Sequence, residues 1–401
     1  MIEFFKQLGI AVLAFIPLIT LLVGIHELGH FFAGKLFRTR IDVFSIGFGR
    51  AIAKRTDRSG VEWRIGWIPI GGYVRFAGDS NDASLPDGQD LDHLRDQIVA
   101  KFGPEAVGEF HAFKPLWQRA FIALAGPLAN FVLAAALFAT VLGVWGEPTS
   151  PPVVGAVFQG SVAEAAGIRA GDRIVSIDGR RMDSFTEVQR EINLHAGDPL
   201  VFALNRQGQN LSVVATPRRE QIFNEDTRVT AKMGRIGMSS GPGELKHYSP
   251  PQAVVRGTEM VGETISSTLT YLGRIFTGRE NGDQISGVIG MASTTGKVAE
   301  SSLNAAPGVL GWITLLMMMI QIAAFLSTGL GFANLLPIPI LDGGHLMFYA
   351  YEAVARRPVS ARVQEASFKV GLALVLGLML FAAKNDLMNL QAFKFLGGLF
   401  S

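Results

Sequence analysis

The pentapeptide His26-Glu27-Leu28-Gly29-His30 closes an apolar stretch, Leu8 to Leu36, that carries no charge up to Ile25. An α-helix of about 20 apolar residues crosses the hydrocarbon core of a bilayer, so this stretch is long enough to span. Ionisable groups are costly inside a span and default to a functional explanation. Residues four apart share one helix face, so His26 and His30 can reach the same ion while Glu27 lies beside a bound water. The chain must therefore fold around a helix that is both membrane-embedded and equipped to bind a metal.

The remaining composition agrees with that constraint. Of 401 residues, 49% are hydrophobic, which argues against a plain soluble enzyme. There is no cysteine, so a tightly held transition metal has only His, Asp and Glu to bind it. Lys plus Arg number 36 against 34 Asp plus Glu, with no long basic run, and nothing points to nucleic acid.

Three further stretches are long and apolar: Ala120 to Trp145, Val309 to Ala333, and Val370 to Ala383. The last spans only if it extends back toward Val363 and Lys369 snorkels. A cleavable signal peptide is not expected, because no small-residue cleavage site precedes the metal motif. Lys35, Arg38 and Arg40 follow the first span, Lys114 and Arg119 precede the second, and Arg356, Arg357 and Arg362 lie between the third and fourth. By the positive-inside rule these ends face the cytoplasm, which places the long middle region and both termini outside.

The expected fold is thus a membrane α-helical core of about four spans carrying two appended parts. Val61 to Phe76 is rich in Trp, Ile, Val and Tyr and is broken by Gly71-Gly72, so it reads as a β-hairpin, either dipping into the bilayer against protein or lying on its surface. After the Pro148 to Pro152 linker, the run Gly160 to Met182 predicts a short helix at Val162 to Ala166 and a strand at Arg173 to Ile177, closed by an Asp178-Gly179 turn. This resembles an extracytoplasmic PDZ-like α+β domain, in which a peptide or C-terminus adds to a sheet edge. Pro250 to Gly278 predicts an amphipathic helix, and Gly282 to Gly290 a loop.

The organisation expected along the chain is a first membrane helix at 1–36, a cytoplasmic-side region at 37–115 with a hairpin at about 61–76, and a second membrane helix at 116–146. A PDZ domain at 147–220 and an extracytoplasmic connection at 221–306 follow. The third membrane helix falls at 307–345, a cytoplasmic loop and fourth helix at 346–386, and a tail at 387–401.

Two histidines leave a zinc site one ligand short. In the run Asn334 to His345, Pro337 and Pro339 break the helix and Gly343-Gly344 permit a sharp turn, so Asp342 sits where freed backbone can line a cavity. Asp342 is the better candidate for the third ligand and His345 its rival. Locally, Asp342 also reads as the N-cap of the next helix. His93, His111, His195 and His247 fall in loops or surface regions and read as solvated side chains.

The pairing of HELGH with LDGG on the first and third spans, with a PDZ-like module between, resembles the site-2 protease family of intramembrane zinc metalloproteases, in particular its bacterial RseP type. Phe44 to Arg50, Pro69 to Asp79, Ala125 to Phe131 and Ala383 to Leu387 match it further. The resemblance implies Zn2+ held by His26, His30 and Asp342, Glu27 as catalytic base, and a membrane re-entrant hairpin presenting an edge strand. It implies that Asn334, Pro337 and Pro339 shape the site, and that Gly71, Gly72 and Tyr73 of the hairpin meet the substrate. Asn130 is a further candidate polar contact to substrate, or else a packing residue.

Implied partners are the lipid bilayer and single-span membrane proteins such as anti-sigma factors or signal-peptide remnants. The implied location is the bacterial inner membrane, with the PDZ domain periplasmic and the active site toward the cytoplasm. One PDZ module is visible where proteobacterial relatives carry two, and Gly329 stands where some relatives have a second Asn. The competing classes are a PDZ-bearing adaptor with a structural metal, for which Glu27 is dispensable, and a transporter, which this chain fits poorly for lack of inverted repeats.

Overall fold

The computed structural model describes residues 2–78, 88–224, 229–305 and 308–389, so the tail expected beyond 387 lies almost wholly outside the described residues. The chain begins with α1 (Ile2–Leu36), which ends where Lys114 Nζ donates to the carbonyls of Phe37 and Arg38, at 2.6 and 3.4 Å. Two strands follow, β1 (Ile41–Thr56) and β2 (Glu62–Phe76).

The hairpin differs from expectation. Residues 61–76 do not turn back on themselves at Gly71-Gly72 but form the second arm, β2, of a hairpin whose first arm is β1. Its turn lies at Asp57 to Gly60, where Asp57 Oδ1 accepts from the amides of Ser59 and Val61 and from Ser59 Oγ. An aspartate that can satisfy the turn's own donors competes successfully with a Gly pair inside an apolar strand. Both arms are bent. Phe44, Ser45 and Ile46 pair with Val74, Tyr73 and Gly72 on one side and with Trp63, Arg64 and Ile65 on the other. The Gly71 to Phe76 stretch is thereby an outer edge. Thr20 Oγ1 donates to the carbonyl of Pro69, which sets the bend of β2 against the middle of α1.

Beyond the hairpin, α2 (Gly88–Phe102) covers a small cluster of Ala77, Ile98 and Phe110. The next long helix, α3 (Leu116–Val144), crosses α1 closely: a Cβ on Gly29 would touch the carbonyl of Ala125 and lie 2.9 Å from Ala129 Cβ. Membrane helices approach through such small residues because lipid offers no competing hydrophobic drive.

The outer module starts with β3 (Glu147–Thr149), β4 (Val154–Val157) and α4 (Val162–Ala165). It continues with β5 (Arg173–Ile177), β6 (Arg180–Arg181), α5 (Phe185–Leu194), β7 (Leu200–Arg206) and β8 (Gln209–Ala215). Its sheet has the order β6-β5-β7-β8 and packs Ile174, Ile177, Phe202 and Leu204 against Phe185 and Val188 of α5. Four more strands follow: β9 (Arg218–Asn224), β10 (Val229–Arg235), β11 (Met238–Ser240) and β12 (Glu244–Lys246). Because β11 pairs with β4 and β12 with β3, the module extends to Lys246 rather than ending at 220. Strands of three residues carry no readable alternation, so this closure is invisible in sequence.

The amphipathic helix α6 (Pro250–Phe276) joins module to membrane core. Its Arg256 pairs with Glu147 at 2.9 Å and Glu263 at 2.7 Å, Arg190 of α5 also meets Glu263 at 2.7 Å, and Arg274 pairs with Asp198. Within the expected 282–290 loop a helix begins, α7 (Val288–Ala305), which lies along the first half of α1 with Gly296 against Ala11. Then come α8 (Val309–Asn334), α9 (Asp342–Ala355) and α10 (Ala361–Asn389). Among the described residues four segments are long and apolar enough to cross a membrane, Ala11–Leu36, Leu116–Val144, Val309–Asn334 and Ala361–Met388, and they overlap the four stretches read from sequence.

Candidate metal centre

One turn of α1 and the start of α9 meet at a single point. His26 Nε2 lies 3.2 Å from His30 Nε2, and Asp342 Oδ2 lies 3.1 Å from the first and 3.5 Å from the second. A tetrahedron with arms of about 2.1 Å has edges of about 3.4 Å, so these separations suit zinc. Asp342 Oδ2 is buried with no hydrogen-bond donor, which marks it as a donor atom awaiting a cation. Two imidazoles and one carboxylate are a set that zinc takes in catalytic sites, leaving a fourth position open.

The local sequence explains how each donor arrives. His26 and His30 project from one face of α1 onto the Ala125-Gly126-Pro127 turn of α3. Pro127 interrupts the helical ladder there, and the nearby carbonyl of Ile122 accepts from His30 Nδ1 at 2.8 Å. That bond places the ring proton on Nδ1 and leaves Nε2 free as a ligand. Asp342 is the first residue of α9, and its side chain caps nothing; Leu341 occupies the N-cap position. Gly343 and Gly344 pack against the carbonyls of Leu335, Leu336 and Ile338, a fold-back that leaves no room for side chains. His345 is not part of the cluster; it faces the Phe368 ring, 6.0 Å between centroids. Burial holds its imidazole below the usual histidine range, against the pull of Asp342.

Glu27 lies beside the three donors and against the hairpin edge. The backbone of Val74 lies against its carboxylate, and a Cβ on Gly72 would stand 3.0 Å from Glu27 Cγ. Next to this contact an apolar cleft of about 480 Å³ runs between α1 and the sheet, lined by Thr20, Gly24, Ile25 and Leu28 on one side and Ile46 and Pro69 on the other.

The other expected site residues are distributed around this centre. Gly71, with φ of +99°, makes the bend that aims Gly72 at Glu27. Tyr73 stacks on Phe48 at 6.2 Å and lies 3.5 Å from Arg64 Nη1. Asn334 is the last residue of α8, and Pro337 and Pro339 form the connection to Asp342, with Gly371 of α10 packed so that a Cβ on it would lie 3.1 Å from Pro339 Cδ. Asn130 has no exposed surface and meets His26 Nδ1 at 3.0 Å, so it stands behind a candidate ligand instead of on a substrate-facing wall. His111, expected to be solvated, stacks on Phe76 at 4.9 Å. Gly126, which sequence reasoning passed over, gives the two imidazoles their space.

The chain is similar over nearly its whole length to known proteins. A family profile, Peptidase family M50, matches residues 14–378. Metalloprotease MmpA of Caulobacter vibrioides is 46% identical over 385 residues, 96% of this chain and 96% of that protein. A putative zinc metalloprotease of Agrobacterium fabrum is 38% identical over 383 residues, covering 94% and 96% respectively. Another, of Rickettsia conorii, is 33% identical over 388 residues, covering 95% and 99%.

Proposed function

Because the chain belongs to peptidase family M50 and is a zinc metalloprotease, we propose that it hydrolyses peptide bonds within the transmembrane segments of single-span proteins, with His26, His30 and Asp342 holding the zinc and Glu27 as base. The observation that carries this reading is the convergence of three donor atoms, 3.1–3.5 Å apart, at a helix long enough to span a membrane. Zinc held there by His26, His30 and Asp342 would supply a Lewis acid that lowers the pKa of water to about 7 and polarises a carbonyl. Glu27, beside the three donors, is placed to take a proton from a water in the site and to return it to the leaving amide nitrogen.

A transmembrane helix hides its carbonyls in its own hydrogen bonds, so the substrate must unwind before it is cut. The outer edge of β2 at Gly72 to Val74 faces Glu27 and offers replacement backbone partners, and the apolar cleft beside it suits an incoming helix. Pro69 bonds to Thr20, six residues before His26 and therefore about 9 Å along the axis of α1. That supports a re-entrant hairpin, since a strand edge at this depth is tolerated only against protein.

By the same reading the module from Glu147 to Lys246 is a periplasmic PDZ domain taking a peptide or C-terminus, and the chain resides in a bacterial inner membrane with its active site toward the cytoplasm. Anti-sigma factors and signal-peptide remnants are the substrate class. Purified Glu27→Gln should retain zinc and lose cleavage of a model transmembrane substrate, whereas His30→Ala should lose both. Asp342→Asn should release zinc and His345→Ala should not. Continued cleavage by Glu27→Gln would sink the mechanism.

A further inference from the structure

Asn130 is fully buried on α3, and its carboxamide meets the ring of His26 on the side away from the candidate metal donors, 3.0 Å from Nδ1. The atom placed there is Nδ2, while Oδ1 is buried without any hydrogen-bond partner. A half-turn of the carboxamide exchanges oxygen and nitrogen with almost no change of shape. The turn moves Nδ2 to the place Oδ1 leaves, so the metal donors choose between the two orientations: a lone pair on Nε2 aimed at Asp342 and His30 puts the ring proton of His26 on Nδ1, and of the two carboxamide atoms only Oδ1 accepts it.

The neighbouring imidazole is governed in the same way, since His30 Nδ1 faces the carbonyl of Ile122, which can only accept, at 2.8 Å. A zinc-binding pair needs both rings in one tautomer, and α3 supplies an acceptor for each, one from its backbone and one from Asn130. Asn130 is held in turn by Ser327 Oγ, which donates to its backbone carbonyl at 2.8 Å from α8, the helix that leads to Asp342.

We propose that Asn130 is the positioning residue for His26, presenting its carbonyl oxygen to the Nδ1–H and so fixing this imidazole as a zinc ligand. The proposal rests on His26 being a ligand, as argued above. Partners of this type tune metal affinity by about 10–100-fold when removed. In the full-length protein in detergent, zinc affinity measured by chelator competition should therefore fall by about 10–100-fold in Asn130→Leu, which fills the space without an acceptor. Asn130→Asp, which keeps an acceptor, should restore affinity to within a few-fold of the wild type.

The ring N–H signal of His26 in zinc-loaded protein should persist in Asn130→Asp and be lost or shifted in Asn130→Leu. Unchanged affinity in Asn130→Leu, or an Asn130→Asp protein as weak as Asn130→Leu, would overturn the proposal. So would a nitrogen–nitrogen coupling between Asn130 Nδ2 and His26 Nδ1 in the zinc-loaded wild type, a measurement that needs no variant. A wild type that bound zinc without His26 would overturn the ligand assignment itself, which His26→Ala reports separately.

Discussion

Gly126 of α3 faces the imidazole of His30 with no room for a Cβ, which would lie inside contact distance of Nε2 and 2.9 Å from Cε1 of His26. The rings cannot retreat, because His30 Nδ1 is tied to Ile122 and His26 Nδ1 to Asn130 on the same helix. Gly126→Ala should therefore push both donors off their meeting point. Overpacking of this size costs about 1–3 kcal/mol, which is roughly a 5–150-fold loss of zinc affinity. Gly329→Ala in α8 is the matching control, since a Cβ there meets nothing within 4 Å. Metal analysis after purification with limiting chelator distinguishes the two, and equal zinc in both would refute the packing argument.

Lys114 closes α1 from outside the helix. The residue is 9% exposed, and its ammonium donates to the carbonyls of Phe37 and Arg38 just beyond Leu36, where a helix leaves acceptors unpaired and a cation is favoured. Burial depresses its pKa, and Glu109 partly restores it. Lys114→Met keeps the chain length and removes the donor, so it should destabilise the helix end by about 1.5–3 kcal/mol. Amide exchange at Arg38 and Thr39 should accelerate accordingly; exchange rates equal to wild type would show that the cap contributes nothing.

The sequence made the membrane helices and the chemistry legible for a common reason: an uninterrupted apolar run and an ionisable cluster inside it are both local signals. Asp342 was legible as a candidate ligand beside its rival His345, and what the local sequence hides is the fold-back at Gly343 and Gly344 that brings its carboxylate to α1. The first arm of the hairpin is not legible in the sequence because β1 carries Gly47 and Gly49 at bends, with φ of +84° and +83°, which break the alternation that identifies a strand. The closure of the outer module through β11 and β12 depends on pairing across the whole domain, which no local window contains. The environment of His111 was hidden too: a histidine beside a short loop gives no sign that Phe76 will stack on it.

That environment has a consequence for acid stability. Burial, followed by the charge of Arg119, pushes the His111 pKa down to about 3. A group depressed in the fold contributes stability that is full above its unfolded value, about 6.5, and is lost as pH falls toward the folded one. Stability should thus begin to decline below about pH 6.5 and keep declining toward pH 3. His111→Gln should flatten this slope, while a His111 ring that titrates near pH 6.5 by NMR would contradict the assignment.

Asp386, near the end of α10, ties that helix to the start of α7. Its carboxylate, on a residue only 2% exposed, accepts from Ser286 Oγ at 3.0 Å, from Gly287 N at 3.0 Å and from Gly290 N at 2.8 Å. Asn385 adds donations to the carbonyls of Gly282 and Ile285, at 3.0 and 3.1 Å. Asp386 thus caps α7 from another helix, satisfying amide donors that a helix start leaves unpaired and placing negative charge at its positive end, while Asn385 fastens the loop before it. Between this tie and the contact of Gly371 with Pro339, α10 presents Leu372, Leu374, Leu376 and Leu380 outward, so it is held chiefly at its two ends. Hydrogen bonds to a charged group contribute about 1.5–3 kcal/mol each, and losing the acceptor strands buried donors. Asp386→Ala should raise amide exchange at Gly287 and Gly290 by at least about 10-fold. Asp386→Asn, which keeps one acceptor, should fall between. Zinc content should stay at the wild-type level in both, because neither variant touches His26, His30 or Asp342; unaltered exchange at Gly287 and Gly290 in Asp386→Ala would show that α7 is fixed by its packing on α1 instead.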